Sequence, residues 1–105
     1  MAACIVLTTV DDRHAADKLA RPLVAQRLAA CVTILPAAVS YYRWKGKVQR
    51  SREAVLLIKT SRRMWPKVLS FIKRSHPYKV PELILLPVTA GSKEYLSWLN
   101  ASLKK

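Results

Sequence analysis

The stretch CVTILPAAVSYYRWKGKVQRSREAVLLIKT, residues 31–60, decides the fold of this chain. Residues typical of strands fill 31–35, 37–44 and 47–60, and Pro36 between the first two predicts a sheet edge or a bulge. Lys45-Gly46 predicts a tight turn, because glycine accepts the positive φ that hairpin turns require. A two-stranded hairpin of this length is unstable alone in water, so we expect another surface, most simply a second copy of the chain, to cover it.

On the N-terminal side of the hairpin, the pattern predicts a strand followed by a helix. Residues 3–10 (ACIVLTTV) are apolar and β-branched, which indicates a strand buried on both faces. Asp11 and Asp12 can cap the helix that follows. Residues 13–30 carry an apolar stripe at helical spacing with Pro22 inside it, and because the stripe keeps its phase we predict one kinked helix.

On the C-terminal side, the pattern predicts a helix, a strand and a last helix. Ser61 is expected to cap a helix that ends at His76-Pro77, and residues 82–88 are expected to form a strand. Gly91-Ser92 opens a helix that runs through Leu103. The order β-α-β-β-α-β plus a terminal helix predicts a ferredoxin-like α+β fold with an antiparallel sheet, in one domain over residues 1–105.

Composition excludes several classes of protein. The chain has 105 residues, of which 51% are hydrophobic, and its 19 Lys+Arg against 6 Asp+Glu give a formal net charge of +13. A disordered basic tail of the histone type is excluded, because such chains are poor in large apolar residues. A membrane-spanning helix is excluded as well, because no stretch approaches the ~18 uninterrupted apolar residues that it needs.

The N-terminus and the cysteines favour the cytoplasm. The first residues lack a cationic leader followed by an apolar run, so export is not expected. Cys4 and Cys31 match no zinc spacing and cannot form a disulfide framework, and each is expected to be a small, buried apolar side chain in a reducing compartment.

The densest basic stretch coincides with the outer half of the predicted hairpin. A basic patch of Arg43, Lys45, Lys47, Arg50 and Arg52 lies there without an acidic residue. The interleaved aromatic residues resemble those of RNA-stacking sheets, but the RNP pattern of such sheets is absent. Interfaces between subunits also use such rings. We therefore favour burial between subunits over nucleic-acid binding for the three aromatic residues of the hairpin, which are Tyr41, Tyr42 and Trp44.

Motifs of catalysis are absent from the sequence. It contains no GxSxG, HExxH or DxDxDG pattern, and two glycines are too few for a phosphate-binding loop. His14 is expected to be solvated on the first helix. His76 lies at a helix exit before Pro77, where capping of the helix is the favoured interpretation and metal ligation the alternative.

Three stretches together resemble the CutA divalent-cation-tolerance family. They are LAACVTILPAAVSYYRWKGKVQ (28–49), VLLIKT (55–60) and HPYKVPELILLPVTAGSKEYLSWLN (76–100), and their AACV, WxGK, IKT and HPYxVPE signatures occur in the family's order and spacing. The resemblance implies a cytoplasmic, non-enzymatic homotrimer of ferredoxin-like subunits, similar in plan to the PII signalling proteins. It also implies a function in tolerance to copper and other divalent metals, with the long hairpin pairing with neighbouring subunits.

The resemblance also implies a position for copper. The ligands proposed in enterobacterial members, a cysteine of the first strand and two adjacent histidines, correspond to Thr8, Ser75 and His76 here. Only His76 keeps a side chain that suits copper, because hydroxyl groups are poor ligands for a soft metal. No cofactor is expected to be required, although the protein is expected to bind copper through His76.

The charge departs from the family pattern. Positions after the WxGK turn and after HPY, usually acidic in the family, are occupied here by Gln49-Arg50-Ser51-Arg52 and by Lys79. Such a surface repels metal cations and attracts anions. The leading hypothesis is therefore a CutA-type homotrimer in divalent-cation tolerance, and the alternative is a trimeric module that binds anions or nucleic acid through the basic patch.

Overall fold

Residues 2–105, which the computed structural model describes, contain one four-stranded sheet and three α-helices. The strands are β1 (Ala3–Val10), β2 (Cys31–Trp44), β3 (Lys47–Ser61) and β4 (Ile84–Pro87). The helices are α1 (Arg13–Ala25), α2 (Trp65–Ser75) and α3 (Lys93–Ser102), with a 3-10 turn at Arg62–Met64 before α2. The sheet is antiparallel in the order β2-β3-β1-β4, which confirms the ferredoxin-like α+β prediction.

The hairpin of β2 and β3 has the predicted length and turn. Its register runs from Cys31 opposite Lys59 to Trp44 opposite Lys47, with the irregularity between Leu35 and Ala38 that Pro36 predicts. Both turn residues have positive φ, 51° at Lys45 and 78° at Gly46, as tight hairpin turns require. β2 is an edge strand, which is where a sheet tolerates proline.

Helix α1 is one continuous helix through Pro22, but it ends at Ala25 rather than at residue 30. Arg27 adopts φ 60°, and the amides of Arg27 and Leu28 donate to the carbonyls of Val24 and Leu23. These are the two hydrogen bonds of a Schellman cap, in which glycine normally takes the left-handed position. The prediction was wrong here because arginine occupies that position.

The start of α2 also differs from the prediction. Ser61 does not cap α2, since its side chain makes no capping hydrogen bond and the 3-10 turn intervenes. Ser61 is instead the last residue of β3, paired with Ala3, and the amide of Arg62 extends that ladder to Ala2. β4 is shorter than residues 82–88, because its ladder is limited to the four residues opposite Cys4 through Leu7.

The core lies between the sheet and the helices. β1 is buried along both faces, as predicted, and β3 is mostly buried from Ala54 onwards, where half-buried side chains alternate with buried ones. Apolar side chains from every layer fill this core, among them Leu19, Leu23, Leu56, Ile58, Val68, Ile72 and Leu99. Within residues 2–105, no helix is long and apolar enough to cross a membrane.

Substitutions of two valines on helices test where the core lies. Val68 of α2 is completely buried, whereas Val24 of α1 is 42% exposed. We expect Val68→Ala to lower the free energy of unfolding by about 2 kcal/mol, because it removes buried methyl groups and leaves a cavity. Val24→Ala should change it by less than about 0.5 kcal/mol. Urea unfolding at one protein concentration measures both, and equal effects would contradict this packing.

Candidate functional site

His76 joins the end of α2 to the end of β1. It is the C-terminal cap residue of α2, and only 8% of its surface is exposed. Its Nδ1 accepts the Tyr78 amide at 3.1 Å, so Nδ1 carries no proton in the neutral ring. Nε2 then carries the proton and donates it to the Thr9 carbonyl at 2.8 Å. Both ring nitrogens therefore have partners within the chain, and the cap bond to the helix comes from the backbone amide of His76 rather than from its ring.

Tyr78 is the next member of this cluster. Its ring packs edge-on against His76 with centroids 4.8 Å apart, and its hydroxyl donates to Glu53 Oε2 at 2.7 Å. Burial raises the pKa of Tyr78, and the nearby carboxylates of Glu53 and Asp11 raise it further. Glu53, at the end of the hairpin's outer half, is only 8% exposed. The cluster thus links the hairpin to the segment after α2 through one phenol.

The positions that correspond to the family's copper ligands do not form a ready-made metal site. Thr8 is fully buried in β1 with no partner for its Oγ1, and Ser75 is exposed at the last residue of α2. Residues 2–105 contain no group of three or more His, Cys, Asp or Glu side chains arranged to hold a metal ion. Copper at His76 remains a prediction, and it would have to displace either the Thr9 or the Tyr78 contact.

The two cysteines are free and differ in their surroundings. Cys4 is buried in β1, and this burial raises the pKa of its thiol despite the opposing influence of Arg62. Cys31 at the start of β2 is half-buried, and the Lys59 ammonium donates to its Sγ at 3.5 Å and also bonds the Thr33 hydroxyl. Neither cysteine lies in a ligand cluster among the described residues.

The three aromatic residues of the hairpin are exposed in the single chain. Tyr41, Tyr42 and Trp44 are 70%, 44% and 53% exposed. Side chains opposite each other in an antiparallel pair share a face, and so do alternate residues of one strand. The register therefore places Tyr41 on one face, and Tyr42 and Trp44 on the other.

The same register divides the basic patch. Arg43, Arg50 and Arg52 share the face of Tyr41, while Lys47 lies on the face of Trp44 and Lys45 is in the turn. The structure thus brings three of the five cationic residues together. A continuous basic surface on one side of the hairpin, which the sequence alone suggests, is limited to those three arginines.

A cavity of about 770 Å³ lies between the outer half of the hairpin and the segment after α2. Its lining includes the aromatic side chains of Tyr42 and Trp44, and the hydroxyl of Tyr42 shares a hydrogen bond of 2.8 Å with Ser51. Tyr78 and Glu53 also line it. The cavity therefore joins the predicted interface residues to the cluster around His76.

Sequence reasoning missed Glu53 and Tyr78. The signals were present: Glu53 is the one acidic residue between Asp17 and Glu82, and Tyr78 directly follows His76-Pro77. Neither signal indicates a contact, because the two residues are 25 positions apart and meet only after the hairpin folds against the end of α2.

Comparisons with known proteins agree over nearly the whole chain. The family model described as CutA1 divalent ion tolerance protein matches residues 4–102. A divalent-cation tolerance protein CutA of Yersinia pestis (strain Pestoides F) is 48% identical over 101 residues, which is 96% of this chain and 85% of the relative.

Solved structures show the same similarity. A divalent cation tolerance protein (Cut A1) from Thermus thermophilus has a TM-score of 0.93 and 43% identity, covering 97% of this chain and 99% of that one. The crystal structure of CutA1 from Oryza sativa has a TM-score of 0.96 and 38% identity, covering 100% of this chain and 96% of that one.

The raised pKa of Tyr78 predicts a pH dependence of stability. Above the ordinary tyrosine value of 10.0 the unfolded chain loses this proton while the folded chain keeps it. The unfolded state then binds fewer protons, so the free energy of unfolding falls as pH rises. Tyr78→Phe removes this contribution, and its stability should fall less than that of the wild type between about pH 9 and about pH 11.

Urea unfolding at the two pH values measures how much unfolding free energy each protein loses. The effect of lysine titration is common to both proteins, so it cancels when the two losses are compared. Tyr95→Phe, at an exposed position of α3, is the matched control and should follow the wild type. Equal losses in the wild type and Tyr78→Phe would show that the Tyr78 hydroxyl is not held by the carboxylates.

Proposed function

The chain belongs to the CutA1 divalent ion tolerance family, and we propose that it acts in divalent-cation tolerance as a non-enzymatic, cytoplasmic homotrimer that binds copper. The relatives are named for tolerance to divalent cations, and the family is not a known enzyme family. The trimer and the copper site are the two parts of this proposal that experiments must test.

One observation above all supports self-assembly: the hairpin exposes large apolar side chains on both faces. Besides the three aromatic residues, Val39 and Val48 are exposed, and the molecule extends to 44 Å along its longest axis. Large apolar side chains exposed together on one element are typical of an interface, because water is a poor environment for them. A hairpin this long gains stability when another surface covers it.

The sheet edges also support a closed assembly. β2 and β4 are the two edge strands, at opposite sides of the sheet, and β4 exposes Ile84 and Leu86. An unpaired strand edge offers free amides and carbonyls to another chain. Two different edges that meet head-to-tail generate a ring when the rotation closes. A homotrimer is such a ring.

The trimer predicts a particle mass of three times the 11.9 kDa chain at micromolar concentration. We expect Tyr41→Lys to shift this equilibrium towards the monomer, because it places a charge at the most exposed aromatic residue of the hairpin. Val24→Lys adds the same charge on α1 and should leave the trimer intact. Sedimentation equilibrium measures the mass, and a monomeric wild type would overturn the proposal.

Copper binding depends on His76, the one residue that keeps the family's ligand type. We expect His76→Gln to weaken Cu²⁺ binding at least about tenfold, because the glutamine amide can keep one of the two hydrogen bonds but is a poor copper ligand. His14, the only other histidine, is exposed on α1, so His14→Gln is a matched control that should bind as the wild type does.

Isothermal titration calorimetry with Cu²⁺ measures this difference, and circular dichroism checks that each variant is folded. Identical isotherms for the wild type and His76→Gln would remove His76 as a ligand. In cells that lack their own family member, the wild type should restore growth in copper and the His76 variant should not. Failure of the wild type to do so would contradict the tolerance function.

A further inference from the structure

The cavity beside the hairpin has a chemistry that neither copper tolerance nor assembly requires. We propose that it binds a small organic cation, namely an ammonium group carried on an apolar or aromatic body. Its volume of about 770 Å³ lies within the ~300–1,000 Å³ that small-molecule sites occupy. This inference does not rest on the copper proposal, because His76 is not among the residues that line the cavity.

The charge of the cavity is the reverse of the charge of the chain. Cationic residues outnumber acidic ones by 19 to 6 overall. Three of those six acids, Asp11, Glu53 and Glu82, nevertheless line this one cavity, against two cationic residues, Arg52 and Lys79. A protein of net charge +13 repels small cations elsewhere on its surface. A small organic cation is therefore expected to bind here rather than elsewhere on the surface.

The buried carboxylate that lines the cavity has few hydrogen-bond partners. The Tyr78 hydroxyl has one proton, which it donates to Glu53 Oε2, and Asp11 lines the same cavity. Glu53 is more than nine-tenths buried, yet among residues 2–105 this is the single side-chain hydrogen bond that it accepts. A carboxylate offers about four acceptor positions. An ammonium group supplies both the missing donors and the opposite charge.

The walls of the cavity select an organic cation over a metal ion. Tyr42 and Trp44 also line the cavity, and an ammonium group is attracted to the faces of such rings. A hydrated divalent ion gains nothing from aromatic walls, and it prefers more oxygen ligands than this cluster supplies. Lys79, which also lines the cavity, disfavours a cation without an apolar body, since ring contacts are needed to offset its repulsion.

Part of this cavity lies at the proposed trimer interface. Tyr42 and Trp44 belong to the predicted interface, so a neighbouring copy would approach the outer wall. The carboxylate end, with Asp11, Glu53 and Tyr78, is built from one chain. Variants at the carboxylates therefore test the ligand site without altering the aromatic interface.

The test compares ligands of one shape and different charge. Protonated 2-phenylethylamine, neutral 2-phenylethanol and anionic 3-phenylpropanoate are titrated into the full chain in about 0.15 M salt, followed by the indole resonances in NMR spectra. We expect the amine to saturate below about 10 mM, with its affinity at least about tenfold above that of the alcohol. The same titration with Mg²⁺ should produce no saturable shift and should not displace the amine.

Matched variants locate the site. Asp11→Asn and Glu53→Gln keep the shape of each side chain, and each should lower amine affinity about tenfold by removing one charged acceptor. Asp17→Asn removes the same charge from an exposed position of α1 outside the cavity and should bind as the wild type does. Should Glu53→Gln fail to fold, the exposed Asp11 still carries the test.

Three results of the titrations with the aromatic ligands would overturn the proposal. They are equal affinity for amine and alcohol, tighter binding of the carboxylate compound, and absence of saturation by the amine up to about 10 mM. Displacement of the amine by Mg²⁺ would indicate a metal site instead and would also overturn it. Sedimentation of the same samples reports the oligomeric state separately, so that failure of the trimer proposal and failure of the ligand proposal are distinguishable.

Discussion

The structure depends on the pairing of β3, which extends beyond the end of its neighbour β1. The inner half of β3, residues 54–61, pairs with β1, and residues 55–59 of it also pair with β2, whereas its outer half pairs with β2 alone. The inner half is therefore buried against the helices and carries the core. The outer half, together with the paired part of β2, extends from the sheet as a two-stranded arm with exposed apolar side chains. Such an arm is stabilised when another surface covers it. Two of the proposed interactions of the protein, with its own copies and with a small organic cation, follow from that difference.

The second constraint is the link through His76, which fixes the segment after α2 against the end of β1. Its two ring nitrogens hold the Thr9 carbonyl and the Tyr78 amide, so the phenol of Tyr78 is positioned to meet Glu53 where the arm begins. The residue that resemblance marks as a metal ligand therefore has a structural function in the single chain. The proposed copper binding would compete with this link for the same nitrogens, which is why the His76 and His14 variants are informative together.

Local sequence signals predicted the elements that depend on local chemistry. The long hairpin, the turn at Lys45-Gly46 and the irregularity at Pro36 were correct because backbone preferences act within a few residues. The end of α1 was wrong because Arg27 takes a left-handed conformation that its own preference does not favour. Tertiary hydrogen bonds explain it, since its guanidinium donates to the carbonyls of Ala101 and Ser102 at the end of α3. The Ser61 cap was wrong for a similar reason, since pairing with Ala3 extends β3 to that residue.

The sequence by itself determined the fold class, the order of the strands and helices, the long hairpin and the family, because periodicity, turn residues and motif spacing are written along the chain. It also marked His76 and the hairpin aromatics as residues of interest. Only the tertiary structure decided that both nitrogens of His76 are engaged, that the basic patch is divided between two faces, and that half of the few acidic residues meet in one cavity. The physical reason is that these contacts join residues far apart in sequence, whose meeting depends on sheet register and packing rather than on local preference.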